Sequence, residues 1–305
     1  MRPVSLLLPM LALCACAMSP QSAPEADTLS LDAGAHRSLH AIEERSGGRL
    51  GVVLLDGDGT ALIDYRGDQR FAFCSAFKLA LGGAALAADA KGSIDLEKEV
   101  RFTRADFVGY QPYVEQRLDG EAGVITLGDA LDGTLLTSDN VAANMLIDAL
   151  GGPSAVTAIW RSWGDPVSRL DRRETALNEN RAGDDRDTSS PLAMAKAVRI
   201  LLDGDVLGPV DEARLAGLLE RSRTGLERVR AGLPEGWRAG DKTGTCKPSG
   251  MPDPQANDIG FFVDDSGETF WFAVMLDRYD GDVAAASAMH AEVGAIFADV
   301  VRHPR

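Results

Sequence analysis

A serine and a lysine three residues apart, Ser75 and Lys78, have the chemistry of an activated nucleophile. On a helix their side chains share one face, one turn apart, so the lysine amine can accept the proton of the serine hydroxyl. The same spacing also occurs when a serine caps a helix and the lysine is solvated. Apolar residues at 71–73 and 79–81 predict instead that the lysine is buried, which seldom occurs without a function.

A second motif, Ser138-Asp139-Asn140, adds a hydroxyl and an amide between two predicted helices. The Ser138 hydroxyl can pass a proton to a leaving nitrogen, and the Asn140 amide can bind both a substrate carbonyl and Lys78. The same three residues also form an ordinary capping and turn sequence. This motif therefore indicates an active site only in combination with the first motif.

A third motif, Lys242-Thr243-Gly244-Thr245, is predicted to lie on a strand. A glycine inside a strand weakens it unless a ligand must approach the backbone closely. The lysine and the two threonine hydroxyls can bind a substrate carboxylate through charge-assisted hydrogen bonds. The alternative is an edge strand that carries a solvated lysine.

A polar segment of about 20 residues, 170–188, is predicted to form a long loop, and long loops in compact domains tend to be functional. It is either a solvated surface loop or an Ω-loop closed by an Arg172–Asp187 ion pair. In the second interpretation Glu174 and Asn178 hold a water between them. A carboxylate placed there activates water for the hydrolysis of an acyl-enzyme.

The elements that must position these motifs follow a simple order along the chain. Hydrophobic patterns predict helices at 35–46, 127–136, 141–150, 153–163, 191–202 and 283–302, and strands at 49–56, 61–66, 238–245, 258–263 and 269–276. Strands at both ends with helices between them imply one sheet built from both termini and an inserted helical lobe. The predicted fold class is therefore α/β (α+β) with two lobes, a sheet lobe of residues 34–70 and 222–305, an all-helical lobe of 71–221, and a site in the cleft between them.

The N-terminus predicts export. Residues 1–18 have a positive start and a short apolar run, as in a signal peptide, and 19–33 form a polar tether. The leader ends either at a signal peptidase site or at a lipobox that would attach a lipid to Cys16. We expect a periplasmic protein whose only contact with a membrane is this anchor.

Bulk properties narrow the class of partner. The chain has 305 residues and a net charge of −15, which argues against nucleic acid and favours a small-molecule substrate. We expect a monomer without a cofactor. A metal site is disfavoured because only His36 and His40 share a helix face and no third ligand lies near them in the sequence.

Two cysteines, Cys74 and Cys246, remain after the leader, and each flanks one of the motifs. In an oxidising compartment they most simply form one disulfide. The alternative is a pair of buried thiols that act as small apolar side chains.

Taken together, the motifs resemble those of class A serine β-lactamases, in the same order and spacing, from Ala35 to the C-terminus. The resemblance implies that Ser75 is acylated, that Lys78 and Glu174 are bases and that Ser138 relays a proton. It also implies that Asn140 and Asn178 position substrate and water, and that Lys242, Thr243 and Thr245 bind the substrate carboxylate. The backbone N–H groups of Ser75 and Thr245 are then expected to form an oxyanion hole, and Tyr110 to line the entrance of the cleft.

Glu174 argues against a penicillin-binding peptidase or a β-lactam sensor, because both trap the acyl group. A non-enzymatic lipoprotein adhesin would have no need of the ordered motifs.

The placement of the cysteines resembles the disulfide-bridged members of this family, which include carbapenemases. Arg228 matches a position that helps Thr245 to bind the carboxylate in those members. The expected reaction is therefore hydrolysis of penicillins and cephalosporins, with carbapenems as a further hypothesis. Thr175 departs from the pattern, because many relatives have proline after the glutamate.

Overall fold

The computed structural model describes residues 28–179, 181, 183–204, 206–246 and 254–303. The helices are α1 (Thr28–Ser46), α2 (Lys78–Ala90), α3 (Pro112–Glu115), α4 (Leu127–Leu136), α5 (Asn140–Ala149), α6 (Pro153–Ser162), α7 (Pro191–Leu202), α8 (Pro209–Glu220), α9 (Val229–Gly232) and α10 (Val283–Arg302). The strands are β1 (Arg49–Leu55), β2 (Ala61–Tyr65), β3 (Phe71–Ala72), β4 (Glu99–Thr103), β5 (Ala122–Thr126), β6 (Thr188–Ser189), β7 (Arg238–Cys246), β8 (Gln255–Val263) and β9 (Thr269–Asp277).

Five of the strands form one antiparallel sheet in the order β2-β1-β9-β8-β7, so both ends of the chain contribute to it. This confirms the predicted fold class. Successive residues of the central strands enter opposite cores: Val52 and Leu54 of β1 pack on the side of α1 and α10, whereas Val53 and Leu55 pack on the side of the middle helices. The pleat alternates side chains between the two faces, which is why these strands are apolar at nearly every position.

The middle of the chain packs around α2, most of which is buried. A Cβ atom on Gly83 would lie 2.5 Å from Leu201 Cδ2, and one on Gly82 would lie 3.0 Å from Leu135 Cδ1. The two glycines therefore allow α4 and α7 to approach α2 closely. This packing offsets the low helix propensity of glycine.

The structure differs from the predicted elements at several points. Helix α1 begins at Thr28 and not at residue 35, so residues 28–33 are helical and are not part of a tether; this stretch contains no proline, and the single Gly34 is tolerated inside the helix. Strand β8 begins three residues earlier than predicted, where it pairs with β9. The two-stranded sheets β3–β6 and β4–β5 were not predicted. Strands β3 and β6 have only two residues each and lie far apart in the chain, whereas β4 and β5 have five residues each and pair across the segment 104–121. The signal peptide, Cys16 and residues 19–27 of the predicted tether lie outside the described residues.

A disulfide joins Cys74, just before α2, to Cys246 at the end of β7, with a Cα–Cα distance of 5.8 Å. This confirms the predicted pairing over the alternative of two buried thiols. The bond closes a sequence separation of 172 residues. It therefore ties the segment around Ser75 to the sheet.

Reduction of this disulfide should lower the free energy of unfolding by about 2–5 kcal/mol, because the reduced unfolded chain regains conformational freedom. Denaturant unfolding of the protein with and without a reductant measures the difference. The matched control is the Cys74→Ser/Cys246→Ser double variant, whose unfolding midpoint should not respond to the reductant. An unchanged midpoint for the wild-type protein, with two free thiols titrated, would contradict the prediction.

Candidate active site

The first motif lies where a short 3₁₀ turn, Cys74–Phe77, runs directly into α2. Ser75 occupies this turn and Lys78 is the first residue of α2, so the helix begins later than the sequence suggested. Lys78 Nζ lies 3.1 Å from Ser75 Oγ and is fully buried. The apolar residues around the motif do bury the lysine, and its amine still reaches the serine hydroxyl.

The buried amine of Lys78 also meets the second motif. Its Nζ donates to Asn140 Oδ1 at 2.7 Å and to the Ser138 carbonyl at 2.9 Å. The Ser138 carbonyl is presented by a left-handed backbone with a φ of 62°, an uncommon conformation for a residue other than glycine. Asp139 holds this turn by accepting the backbone N–H groups of Tyr113, Val114 and Ala142.

Glu174 completes the group around Lys78. Its Oε1 lies 2.9 Å from Lys78 Nζ and 3.4 Å from Ser75 Oγ, and its Oε2 accepts a hydrogen bond from Asn178 Nδ2 at 2.7 Å. The Lys78 and Glu174 side chains are both shielded from solvent. Removing either would leave an uncompensated buried charge, so each stabilises the position of the other.

The Ω-loop, residues 170–188, is closed by the ion pair between Arg172 Nε and Asp187 Oδ2 at 2.6 Å. Asp187 Oδ1 also accepts the backbone N–H groups of Asp171 and Arg172. Burial raises the pKa of Asp187, and its hydrogen bonds and Arg172 oppose that shift. The Glu174–Thr175 peptide bond within the loop is cis.

Sequence reasoning missed Asn144, which holds the backbone of Glu174. Asn144 Nδ2 donates to the Glu174 carbonyl at 2.9 Å, and Asn144 Oδ1 accepts the Glu174 N–H at 2.9 Å. An amide side chain can satisfy both backbone groups of one residue because it carries a donor and an acceptor. Its position four residues after Asn140, on the same face of α5, was the available signal.

The third motif lies on β7, an edge strand of the sheet. Lys242 is fully buried, and its Nζ donates to Ser138 Oγ at 3.0 Å and to the Thr243 carbonyl at 2.8 Å. Thr243 Oγ1 donates to Thr224 Oγ1 at 2.9 Å. The alternative interpretation of this motif was an edge strand that carries a solvated lysine. The strand does lie at the edge of the sheet, but the lysine is buried.

Arg228 extends this cationic end of the site. Its Nη2 donates to Thr245 Oγ1 at 2.5 Å, and its Nη1 donates to the carbonyls of Asn257 and Gly244. The guanidinium is almost completely buried, which lowers its pKa, while Asp258 and Asp241 favour its charged form.

Gly244 has a different reason to be glycine from the predicted approach of a ligand. A Cβ atom there would lie 2.3 Å from the Phe73 carbonyl oxygen and 2.8 Å from the Ala76 nitrogen. The space is therefore needed by the 3₁₀ turn that carries Ser75, which we call the nucleophile turn. Asn257, which sequence reasoning also missed, lies beside this contact. Its Nδ2 donates to the Ala72 and Phe73 carbonyls at 2.9 and 3.0 Å. No local pattern in the sequence marks this asparagine, because its partners are about 185 residues away.

The motif residues surround one open cleft of about 570 Å³. The predicted site residues that line it are Ser75, Tyr110, Ser138, Asn140, Asn178, Arg228, Thr243 and Thr245. Lys78, Glu174 and Lys242 lie beneath this surface and reach the cleft through the hydroxyls of Ser75 and Ser138. A separate, more apolar cavity of about 480 Å³ between α6 and α7 contains none of the motif residues.

No group of three or more His, Cys, Asp or Glu side chains in the described part of the chain is arranged to hold a metal ion. His40 lies near Glu43 and Glu44 on α1, whereas His36 packs edge-on against Tyr65.

Comparison with known proteins places this geometry in a family. The model of the beta-lactamase enzyme family matches residues 35–301. The chain is 40% identical to beta-lactamase FAR-1 of Nocardia farcinica over 83% of its own length and 78% of that protein, and 37% identical to a beta-lactamase of Mycobacterium tuberculosis over 91% and 89%. An ancestral class A beta-lactamase (GNCA) superposes with a TM-score of 0.81 at 42% identity, covering 87% of this chain and 99% of that one. The chain therefore belongs to the class A serine β-lactamase family, whose members hydrolyse β-lactam antibiotics and thereby confer resistance.

Proposed function

We propose that Ser75 attacks the β-lactam carbonyl to form an acyl-enzyme. The observation that carries this proposal is the buried contact of Lys78 Nζ with both Ser75 Oγ and Glu174 Oε1. Glu174 Oε1 lies 3.4 Å from Ser75 Oγ and can accept the serine proton as the bond to the carbonyl forms, and Lys78 can accept it once its own proton has passed to Glu174. The backbone N–H groups of Ser75 and Thr245, two residues that line the cleft, would stabilise the negative charge on the carbonyl oxygen.

The C–N bond of the lactam then breaks, and Ser138 gives its hydroxyl proton to the leaving nitrogen. The hydrogen bond from Lys242 Nζ to Ser138 Oγ supports this step, because a cation stabilises the hydroxyl oxygen as it loses its proton. Asn140, which accepts a hydrogen bond from Lys78, is placed to bind an amide carbonyl of the substrate.

Deacylation requires a water activated by a carboxylate. Glu174 Oε1 faces Ser75, and its Oε2 faces Asn178, whose own buried Oδ1 has no partner among the described residues. We assign Glu174 as the base and Asn178 as the residue that orients the water. A penicillin-binding peptidase or a sensor lacks such a base and keeps its acyl group, which is why we favour a hydrolase.

The substrate carboxylate is assigned to the cationic end of the cleft. Lys242, Arg228 and the hydroxyls of Thr243 and Thr245 converge there. A chain with a net charge of −15 needs such a local concentration of positive charge to hold an anionic substrate.

We also propose the wider organisation suggested by the sequence. Residues 34–70 and 222–305 form the sheet lobe, and 71–221 form the helical lobe that carries Ser75, Ser138 and Glu174. We propose a monomer that is exported to the periplasm; the export agrees with the disulfide, which persists in oxidising compartments. Attachment of a lipid at Cys16 remains the hypothesis for the N-terminus.

Carbapenem hydrolysis is a second candidate function. It is favoured by the Cys74–Cys246 disulfide and by the short contact between Arg228 and Thr245, the two features that resemble carbapenemases. We expect the purified protein to turn over a carbapenem in steady state at about 1 s⁻¹ or faster, measured from the loss of the lactam absorbance. A single equivalent of product followed only by slow release of the acyl group would contradict this.

Replacing Glu174 with glutamine should stall the reaction after acylation. The Glu174→Gln side chain keeps its size but cannot accept a proton from water, so turnover of a penicillin should fall by about a thousandfold. Mass spectrometry should then show an adduct with the mass of the intact penicillin. The control is Ser75→Ala, which should form no adduct and show no turnover. Normal turnover by Glu174→Gln would refute the assigned base.

The buried Lys242 predicts a pH dependence of substrate capture. Burial, with a smaller effect from the charge of Lys78, lowers the pKa of Lys242 to about 7. The amine is therefore charged below about pH 7 and loses its attraction for the carboxylate as the pH rises. We expect kcat/KM for a penicillin to fall about tenfold per pH unit above this value. In contrast, kcat should stay level to higher pH, because the bound carboxylate stabilises the charged amine.

Lys242→Arg is the control for this pH profile, because a guanidinium does not lose its proton in this range. Its absolute activity should be lower, since the larger group fits the buried site less well. Its alkaline decline in kcat/KM should be absent. An unchanged decline in Lys242→Arg would assign the titration to another group.

A further inference from the structure

Exposed apolar side chains gather at the mouth of the cleft. Five large hydrophobic residues of the described chain are exposed, namely Tyr110, Val124, Val210, Leu226 and Val283. Three of the five line the cleft, with exposed fractions of 54% for Tyr110, 60% for Leu226 and 44% for Val283. Exposed apolar groups that cluster around a polar cleft mark a surface that contacts a ligand.

Leu226 and Val283 lie at the cationic end of the cleft, and Tyr110 lies at the other wall. Leu226 precedes Arg228 by two residues, and Val283 is the first residue of α10. Ser287 of the same helix lines the cleft, and His290 has a pKa that is lowered by burial and, to a smaller extent, by the nearby charge of Arg228. Tyr110 instead belongs with the second motif, because its carbonyl accepts the Asn140 N–H at 2.8 Å. The pair formed by Leu226 and Val283, which we call the apolar rim, therefore borders the groups assigned to the substrate carboxylate.

We infer that the apolar rim binds an uncharged apolar substituent of the substrate. In cephalosporins this substituent is carried on C3, the ring carbon adjacent to the one that bears the carboxylate. This inference rests on the proposed function, which orients the substrate. With the lactam carbonyl at Ser75 and the carboxylate at Arg228 and Thr245, a C3 substituent extends past the carboxylate toward residues 226 and 283. A penicillin has no substituent at the equivalent position that extends as far.

The two side chains of the apolar rim can offer a substituent only apolar contact. Arg223 and Glu227, which carry opposite charges, line the same cleft. Neither Leu226 nor Val283 presents a hydrogen-bonding side chain. A substituent with an aromatic or alkenyl group would displace water from both side chains, and a hydrogen atom at C3 would leave them hydrated.

The test uses cephalosporins that are identical except for hydrogen, methyl or phenylvinyl at C3, none of which is a leaving group. For the wild-type protein we expect kcat/KM to be about tenfold higher with phenylvinyl than with hydrogen. Leu226→Asn and Val283→Thr keep the approximate size of each side chain and add polarity. Each should lower kcat/KM for the phenylvinyl compound about three- to tenfold and leave the C3-hydrogen compound and a penicillin unchanged.

Val210→Thr is the matched control, because Val210 is 82% exposed on α8 and does not line the cleft. This substitution should leave kcat/KM unchanged for all three cephalosporins. Equal losses for all substrates in the rim variants, or no loss for any, would overturn the inference. Failure of the proposed function is a distinct outcome, since it would appear as Ser75→Ala retaining turnover of the C3-hydrogen compound.

Discussion

The rest of the site depends on the contacts of one buried group, the amine of Lys78. It is shared among the hydroxyl of Ser75, the amide of Asn140 and the carboxylate of Glu174, which belong to three separate segments. A charge without partners is costly in such a dry environment, and the three segments that meet at the lysine offset this cost. The requirement that makes this amine stable thus also assembles the reacting groups.

Uncharged amides then hold the backbone on either side of this centre. Asn144 binds both backbone groups of Glu174, and Asn257 binds the carbonyls that precede the nucleophile turn. A side-chain amide can do this without adding a charge that would compete for Lys78. Gly244 allows the nucleophile turn to lie against β7, and the Cys74–Cys246 disulfide holds the same two elements together.

The sheet determines how the two ends of the cleft differ. The edge strand β7 presents Lys242 toward Ser138 and Thr245 toward Arg228, which concentrates cations at one end of an otherwise acidic protein. The apolar rim lies beyond these cations, on the loop before α9 and at the start of α10. Under the proposed function, attraction of the substrate carboxylate and contact with its apolar substituent would therefore occur side by side.

The sequence alone determined the family, the fold class and a set of candidate site residues, because motif spacing and hydrophobic periodicity are local properties. It did not reveal Asn144, Asn257 or the reason for Gly244, since these depend on contacts between segments far apart in the chain. The burial of Lys242, which moves its pKa to about 7, was also hidden, because an edge strand normally exposes its lysines. Only the packing of the nucleophile turn, the Ω-loop and α5 around one amine decided which polar residues became a site and which remained part of the surface.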